Sequence, residues 1–178
     1  MRQGRTRGER PPLDGAALER FALRYVERYA TTRARLSYYL RRKLRERGWN
    51  GGEEPPVEAI VERLATLGYV DDTAFADGRA ATLSRRGLGE RRIAADLRAA
   101  GIAERDCGAA LAAARDQALA TALRYAQKRR IGPFAASPAD HIGRKKALAT
   151  MLRAGHPIDL AREIVSALPG EEIVPNDT

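Results

Sequence analysis

Apolar positions recur with a helical period along most of this 178-residue chain. Leu18, Phe21, Tyr25 and Val26 form one stripe, continued by Tyr29. Leu36, Leu40 and Leu44 form a second at strict i, i+4 spacing. Ile60, Leu64 and Leu67 form a third, after Pro55 and Pro56, which suit the start of a helix. No stretch alternates at period 2 for long enough to propose a sheet. The pattern predicts an all-α fold.

Three basic segments each end in a glycine: Gly48 in YYLRRKLRERGW, Gly101 in IAADLRAAGI and Gly155 in ALATMLRAGH. Four residues before them stand Leu44, Leu97 and Met151, and eight before them Leu40, Ile93 and Ala147. Glycine in that place fits the residue that closes a helix in the left-handed conformation. Each segment is preceded by a predicted helix (17–30, 72–86, 116–130) and followed by a shorter one (55–67, 103–114, 157–168). The chain therefore reads as three tandem three-helix repeats, 16–70, 71–115 and 116–168. Each is too small to bury a core alone, and together they are expected to form an elongated, curved array. Residues 1–15, rich in Arg, Gly and Pro, read as a disordered basic arm, and 169–178 as a flexible tail.

Several residues read as helix starts. Thr31 or Thr32 can cap the helix beginning at Arg33, and Ser137-Pro138-Ala139-Asp140 resembles a capping box. The stretch GYVDDTAFADGRA carries adjacent carboxylates, which raises the possibility of a metal or acid–base pair. Asp71 as N-cap, Asp72 in the first turn, and Val70 with Phe75 as a hydrophobic staple account for the stretch without chemistry. A metal-dependent nuclease built on Asp71 and Asp72 is the weakest of the functional readings.

Lys and Arg number 32 against 23 Asp and Glu, a net charge of +9. Such a surface attracts polyanions or an acidic protein face. The single cysteine, Cys107, excludes a disulfide framework and reads as a packing residue. His141 and His156 stand in no metal-binding spacing and read as surface or helix-end residues. Phosphate-binding loops are missing; Gly87-Leu88-Gly89 is short and follows a helix rather than a strand. The start MRQGRTRGERPPLDG lacks the apolar core of a signal peptide, and no apolar run is long enough to span a bilayer. The expectation is a cytoplasmic monomer acting without catalysis, cofactor, metal or membrane.

The cations cluster in register with the repeats. Arg33, Arg35, Arg41, Arg42, Lys43, Arg45 and Arg47 crowd the middle helix of the first repeat. Arg85, Arg86, Arg91 and Arg92 flank the first-to-second helix junction of the second. Lys128, Arg129, Arg130, Arg144, Lys145 and Lys146 do so in the third. Recurrence along a stacked array makes a stripe suited to a filament or a nucleic acid groove, although a solvated helical face is the simpler alternative. Tyr38, Tyr39 and Trp49 are the few aromatic residues noted near it, so base stacking is not expected as the main mode.

The order YATTRARLSYYLRRKLRERGW, VEAIVERLATLGYVDDTAFA, SRRGLGERRIAADLRAAGI resembles the regulatory protein RecX family. The junction carrying the resemblance is Leu67, Gly68, Tyr69, Asp71, Asp72, Phe75 and Ala76. The match is specific over residues 30–102 and looser to 168. The resemblance implies a non-enzymatic modulator of the RecA recombinase. It would lie in the groove of the RecA–DNA filament and suppress ATP hydrolysis and strand exchange, so regulating homologous recombination, DNA repair and the SOS response. Single- or double-stranded DNA is an expected partner, alone or only together with RecA. The rival reading is a free-standing basic helical DNA-binding protein.

Overall fold

A computed structural model describes residues 11–173. Among them lie nine α-helices: α1 (Gly15–Arg28), α2 (Arg33–Arg47), α3 (Val57–Thr66), α4 (Asp72–Arg85), α5 (Glu90–Ala99), α6 (Glu104–Asp116), α7 (Ala118–Arg129), α8 (His141–Arg153) and α9 (Ile158–Ser166). A single 3-10 turn, Gly132–Phe134, separates α7 from α8. The protein is all-α; the β-type pairing among the described residues is one isolated bridge between Leu13 and Trp49. Gly48, Gly101 and Gly155 follow α2, α5 and α8 with φ of 79°, 75° and 91°, the conformation glycine adopts without a Cβ penalty.

The chain packs as two compact units that divide between Asp72 and Thr73. The first holds α1–α3 around Leu18, Ala22, Leu36, Leu40, Val57, Ile60, Val61 and Leu64. Asp14 caps α1 by accepting from the Ala17 amide at 2.7 Å, and the Thr32 hydroxyl caps α2 by accepting from Arg35 at 3.2 Å. The basic arm expected over 1–15 is too long at its C-terminal end, while residues 1–10 lie outside the described residues. Leu13 is fully buried in this core. Its amide donates to Gly48 and its carbonyl accepts from Asn50, at 3.0 and 2.8 Å, so backbone pairing fixes it beside Trp49.

The second unit holds α4–α9 around two apolar clusters. Ala76, Ala80, Leu83, Ile93, Leu97, Cys107, Ala110 and Ala114 form one. Ala122, Ala126, Ile131, Met151, Ala161, Ile164 and Val165 form the other. Arg79 grips Asp96 through two hydrogen bonds of 2.6 and 2.9 Å, joining α4 to α5. Arg115 grips Glu90 at 2.6 and 3.2 Å, joining α6 to α5. The tail expected from 169 is tethered at its start, where the Gly170 amide donates to Pro133 at 2.9 Å and Ile173 packs against the second cluster. Residues 174–178 lie outside the described residues.

Two glycine-bearing loops of this unit interlock. The turn after α4 closes with Gly87 at φ 87°, where amides of Gly87 and Leu88 donate to Ser84 and Leu83. Gly89 then donates to the Ala154 carbonyl at 2.9 Å, and Arg91 reaches Gly155 at 3.4 Å. A Cβ on Gly89 would lie 2.5 Å from the Gly155 oxygen, and one on Gly155 would lie 2.6 Å from Arg92 Cβ. Gly87-Leu88-Gly89 is thus a close-packing joint rather than a ligand loop.

His156 completes that joint. It is fully buried, not a surface residue, with Nε2 3.0 Å from the Gly87 carbonyl and its ring 5.4 Å from that of Tyr125. A carbonyl can only accept, so Nε2 carries the proton and Nδ1 is a bare lone pair with no partner. Burial pushes this imidazole below its ordinary pKa, partly opposed by the bond to Gly87.

One further helix start differs from the sequence reading. α8 begins at His141, and its cap is Asp140, which accepts from the Gly143 amide at 2.7 Å. Ser137 lies outside the helix because the 3-10 turn and the bends after it use up the preceding residues.

Candidate nucleic-acid interface

The carboxylates of the α3–α4 junction have separate positions. Asp71 is exposed and stands immediately before the first residue of α4. Asp72 is buried, and its Oδ1 accepts from the Arg33 amide at 2.9 Å. Its Oδ2 lies 3.8 Å from the Arg33 guanidinium. Asp72 therefore satisfies one of the unpaired amides at the start of α2, a partner distant in sequence that the local reading did not foresee. Val70 is buried in the core of the first unit, whereas Phe75 packs against the first cluster of the second. Among the described residues, no group of three or more His, Cys, Asp or Glu side chains could hold a metal ion.

In the first unit most of the sequence-selected cations are engaged. Arg33 also approaches Glu62 at 3.5 Å. Arg41 donates to Glu58 at 2.7 Å; this bond holds the Glu58 carboxyl below its usual range, and the Arg41 guanidinium rises correspondingly. Glu46 accepts from Lys43 at 2.6 Å and lies 3.5 Å from Arg42. Arg45 sits over the exposed Tyr38 ring, 5.9 Å from its centroid. Arg35 is exposed.

In the second unit the split between structural and available cations is sharper. Lys128 donates to the carbonyls of Arg85 and Arg86 at 3.3 Å each, and Arg124 to that of Ser84 at 3.1 Å. These side chains close the C-terminal end of α4, where the helix dipole favours cations. Lys128 is thereby a structural residue, as is the exposed Arg85 in part, through a 3.1 Å bond to Thr82. Arg129 lies over the Tyr125 ring at 5.7 Å, and Arg130 ends α7 with φ 53°. Arg86, Arg91, Arg92, Arg144, Lys145 and Lys146 are exposed and, among the described residues, form no ion pair with a carboxylate.

The cations of the middle helices lie near the helix starts. Arg33 and Arg35 are the first and third residues of α2, Arg91 and Arg92 the second and third of α5, while Arg144, Lys145 and Lys146 are the fourth to sixth of α8. The first turns of α2 and α8 contain no acidic residue of their own, but each start receives a carboxylate, Asp72 on the Arg33 amide and Asp140 on the Gly143 amide. That of α5 contains only Glu90, which is held by Arg115. The positive end of a helix dipole disfavours cations, by about 0.3–1 kcal/mol each. Only cations of the first turn feel that cost, so it bears on Arg33, Arg35, Arg91 and Arg92 and not on Lys145 and Lys146.

A family model described as "RecX, second three-helix domain" matches residues 71–111, which take in α4, α5 and part of α6. The chain is 33% identical over 160 residues to the regulatory protein RecX of Myxococcus xanthus, covering 85% of this chain and 86% of that protein. This chain belongs to the RecX family of regulatory proteins. The regulatory protein RecX of Thermobifida fusca is 31% identical over 171 residues, covering 92% of this chain and 85% of that protein. The fold is likewise that of the RecX crystal structure from Lactobacillus salivarius, with a TM-score of 0.62 and 18% identity over 84% of this chain and 93% of that one.

One group of cations escaped the sequence reading. Arg20, Arg24 and Arg28 follow one another at one-turn spacing along α1, and each is directly followed by an aromatic residue: Phe21, Tyr25 and Tyr29. The aromatic members were legible only as a core stripe. The paired Arg-aromatic step of four residues was the signal available.

Proposed function

We propose that this RecX-family chain is a non-enzymatic regulator of the RecA recombinase. It binds the groove of the RecA–DNA filament and suppresses ATP hydrolysis and strand exchange. What supports this reading is the run of exposed cations near the starts of α5 and α8, Arg91, Arg92, Arg144, Lys145 and Lys146, which form no ion pair with a carboxylate among the described residues. A filament coated with phosphates and acidic side chains would supply anions for them. Arg91, Arg92, Arg144, Lys145 and Lys146 are the residues through which attachment is proposed. Arg33 and Lys128 belong to the framework, since their partners lie within the chain.

The test is ATP turnover by RecA on single-stranded DNA as the protein is added. Suppression near stoichiometric protein supports the reading. Unchanged turnover alongside tight binding to bare duplex would instead favour a free-standing DNA-binding protein.

A further inference from the structure

The Arg-aromatic repeat RFALRYVERY, residues 20–29, builds a continuous surface feature on the first unit. Two shallow cavities lie along α1. The first, about 450 Å³, is lined by Arg20, Phe21, Arg24 and Arg47 together with Asp14 at one end. The second, about 470 Å³, shares Phe21 and Arg24 with it and continues to Arg28, Tyr29, Tyr39 and Arg42. Each cavity alone is of small-ligand size. Joined through shared residues, they form a track along the helix, which suits a linear polymer.

The chemistry of the track is both cationic and aromatic. Among the described residues, Arg20, Arg24 and Arg28 are exposed and form no ion pair with a carboxylate. The rise of an α-helix sets them about 6 Å apart. Tyr25 and Tyr39 stack with centroids 4.2 Å apart, and Tyr29 lies 5.3 Å from Tyr25 with half its surface exposed. Arg28 lies over Tyr29 at 5.5 Å and Arg42 over Tyr39 at 5.6 Å, so cations and ring faces alternate across the surface. Arg42 is partly neutralised by Glu46, whereas Arg47, held in place by the Pro11 carbonyl, keeps its charge and adds to the field of the α1 row.

We propose that this track on α1 and α2 binds an unpaired nucleic-acid strand, with Arg20, Arg24 and Arg28 on phosphates and Tyr29 receiving a base. An acidic peptide would satisfy the arginines but leave the exposed ring unused. A duplex would present phosphates but hide its base faces. An unpaired strand offers both at once, and aromatic stacking is worth about 1–3 kcal/mol per base. The proposal deepens the filament reading by naming the component taken, the exposed strand. It rests on that reading for its setting but not for its chemistry.

The experiment uses the whole chain and fluorescence anisotropy with three probes. These are a labelled mixed-sequence DNA oligonucleotide, an abasic strand of the same length, and a polyglutamate peptide of matched charge. The base-bearing strand is expected to bind at least about five-fold more tightly than the abasic one. Tyr29→Ala, at a half-exposed position, should abolish most of that difference. Arg24→Ala with Arg28→Ala should weaken both strands and lower the slope of log K against log salt by about 1.4. Equal binding of the abasic strand, an unaffected Tyr29→Ala variant, or equally tight polyglutamate would overturn the proposal. RecA turnover, followed in parallel, separates the two readings. Suppression without a base-dependent preference removes the track alone, and a base-dependent preference without suppression removes the regulator reading alone.

Discussion

Replacing Gly155 by alanine probes the joint between the loop after α4 and the loop after α8. Gly155 has φ 91°, and a conformation of that kind costs a side-chain-bearing residue about 1–3 kcal/mol. Its new Cβ would also press on the backbone nitrogen of Arg92 and lie 2.6 Å from Arg92 Cβ and 3.0 Å from Arg92 Cα. These are mostly backbone or near-backbone atoms, so relief requires the two loops to separate. Separation would break the Gly89–Ala154 and Arg91–Gly155 hydrogen bonds, each worth about 1 kcal/mol. The expected loss is about 3–5 kcal/mol. Gly68 provides the control, since it has φ 78° but no atom within 4 Å of an added Cβ. Gly68→Ala should cost about 1–3 kcal/mol, the conformational part only. Urea unfolding of both variants measures the difference. Equal losses, or a Gly155→Ala protein as stable as the parent, would refute the claim that close approach holds this joint.

Other outcomes follow from the same geometry. Asp72→Ala should destabilise by about 2–3 kcal/mol, through the lost bond to the Arg33 amide and the lost charge partner, and by more than Asp71→Ala at about 1 kcal/mol. Reversal of that order in chemical denaturation would put the structural carboxylate in the wrong place. His156 is depressed in the folded state, so the unfolded chain binds more protons as pH falls below about 6.5, and stability should decline from there downward. A denaturation midpoint whose pH dependence is unchanged in His156→Phe would contradict this assignment. Exchanging Arg144, Lys145 and Lys146 together for glutamine should leave stability unchanged or raise it by up to about 1 kcal/mol, because Arg144 alone lies near enough to the helix N-terminus to oppose its dipole. The same variant should bind the RecA–DNA filament more weakly, as read by co-sedimentation.

Helix order was legible because it depends on local signals. The i, i+4 leucines and the glycines after α2, α5 and α8 are short-range features, and the φ values at Gly48, Gly101 and Gly155 carry them into the structure. Features made by distant pairing were not legible. Leu13 lies in an unpatterned Pro- and Arg-rich stretch, and only the bridge to Trp49 reveals it as core. Asp72 reads locally as a dipole residue, yet its carboxylate accepts from the Arg33 amide of α2. Gly89 and His156 acquire their roles from each other's loops. Charge was legible as a total but not in its allocation. Sequence alone could not separate Lys128, which closes α4, from Arg144, Lys145 and Lys146, which lack an internal carboxylate partner. The arginines of α1 were overlooked because their aromatic neighbours satisfied a simple core-stripe reading.

The central claim is that the exposed cations near the starts of α5 and α8 serve an external polyanion in regulating RecA. Its most direct test is RecA ATP turnover on single-stranded DNA, comparing the parent chain with one in which Arg91, Arg92, Arg144, Lys145 and Lys146 are glutamine. The account predicts suppression by the parent, and suppression lost or shifted at least about ten-fold in concentration for the variant, with folding intact by circular dichroism. Equal suppression by the two proteins would contradict it.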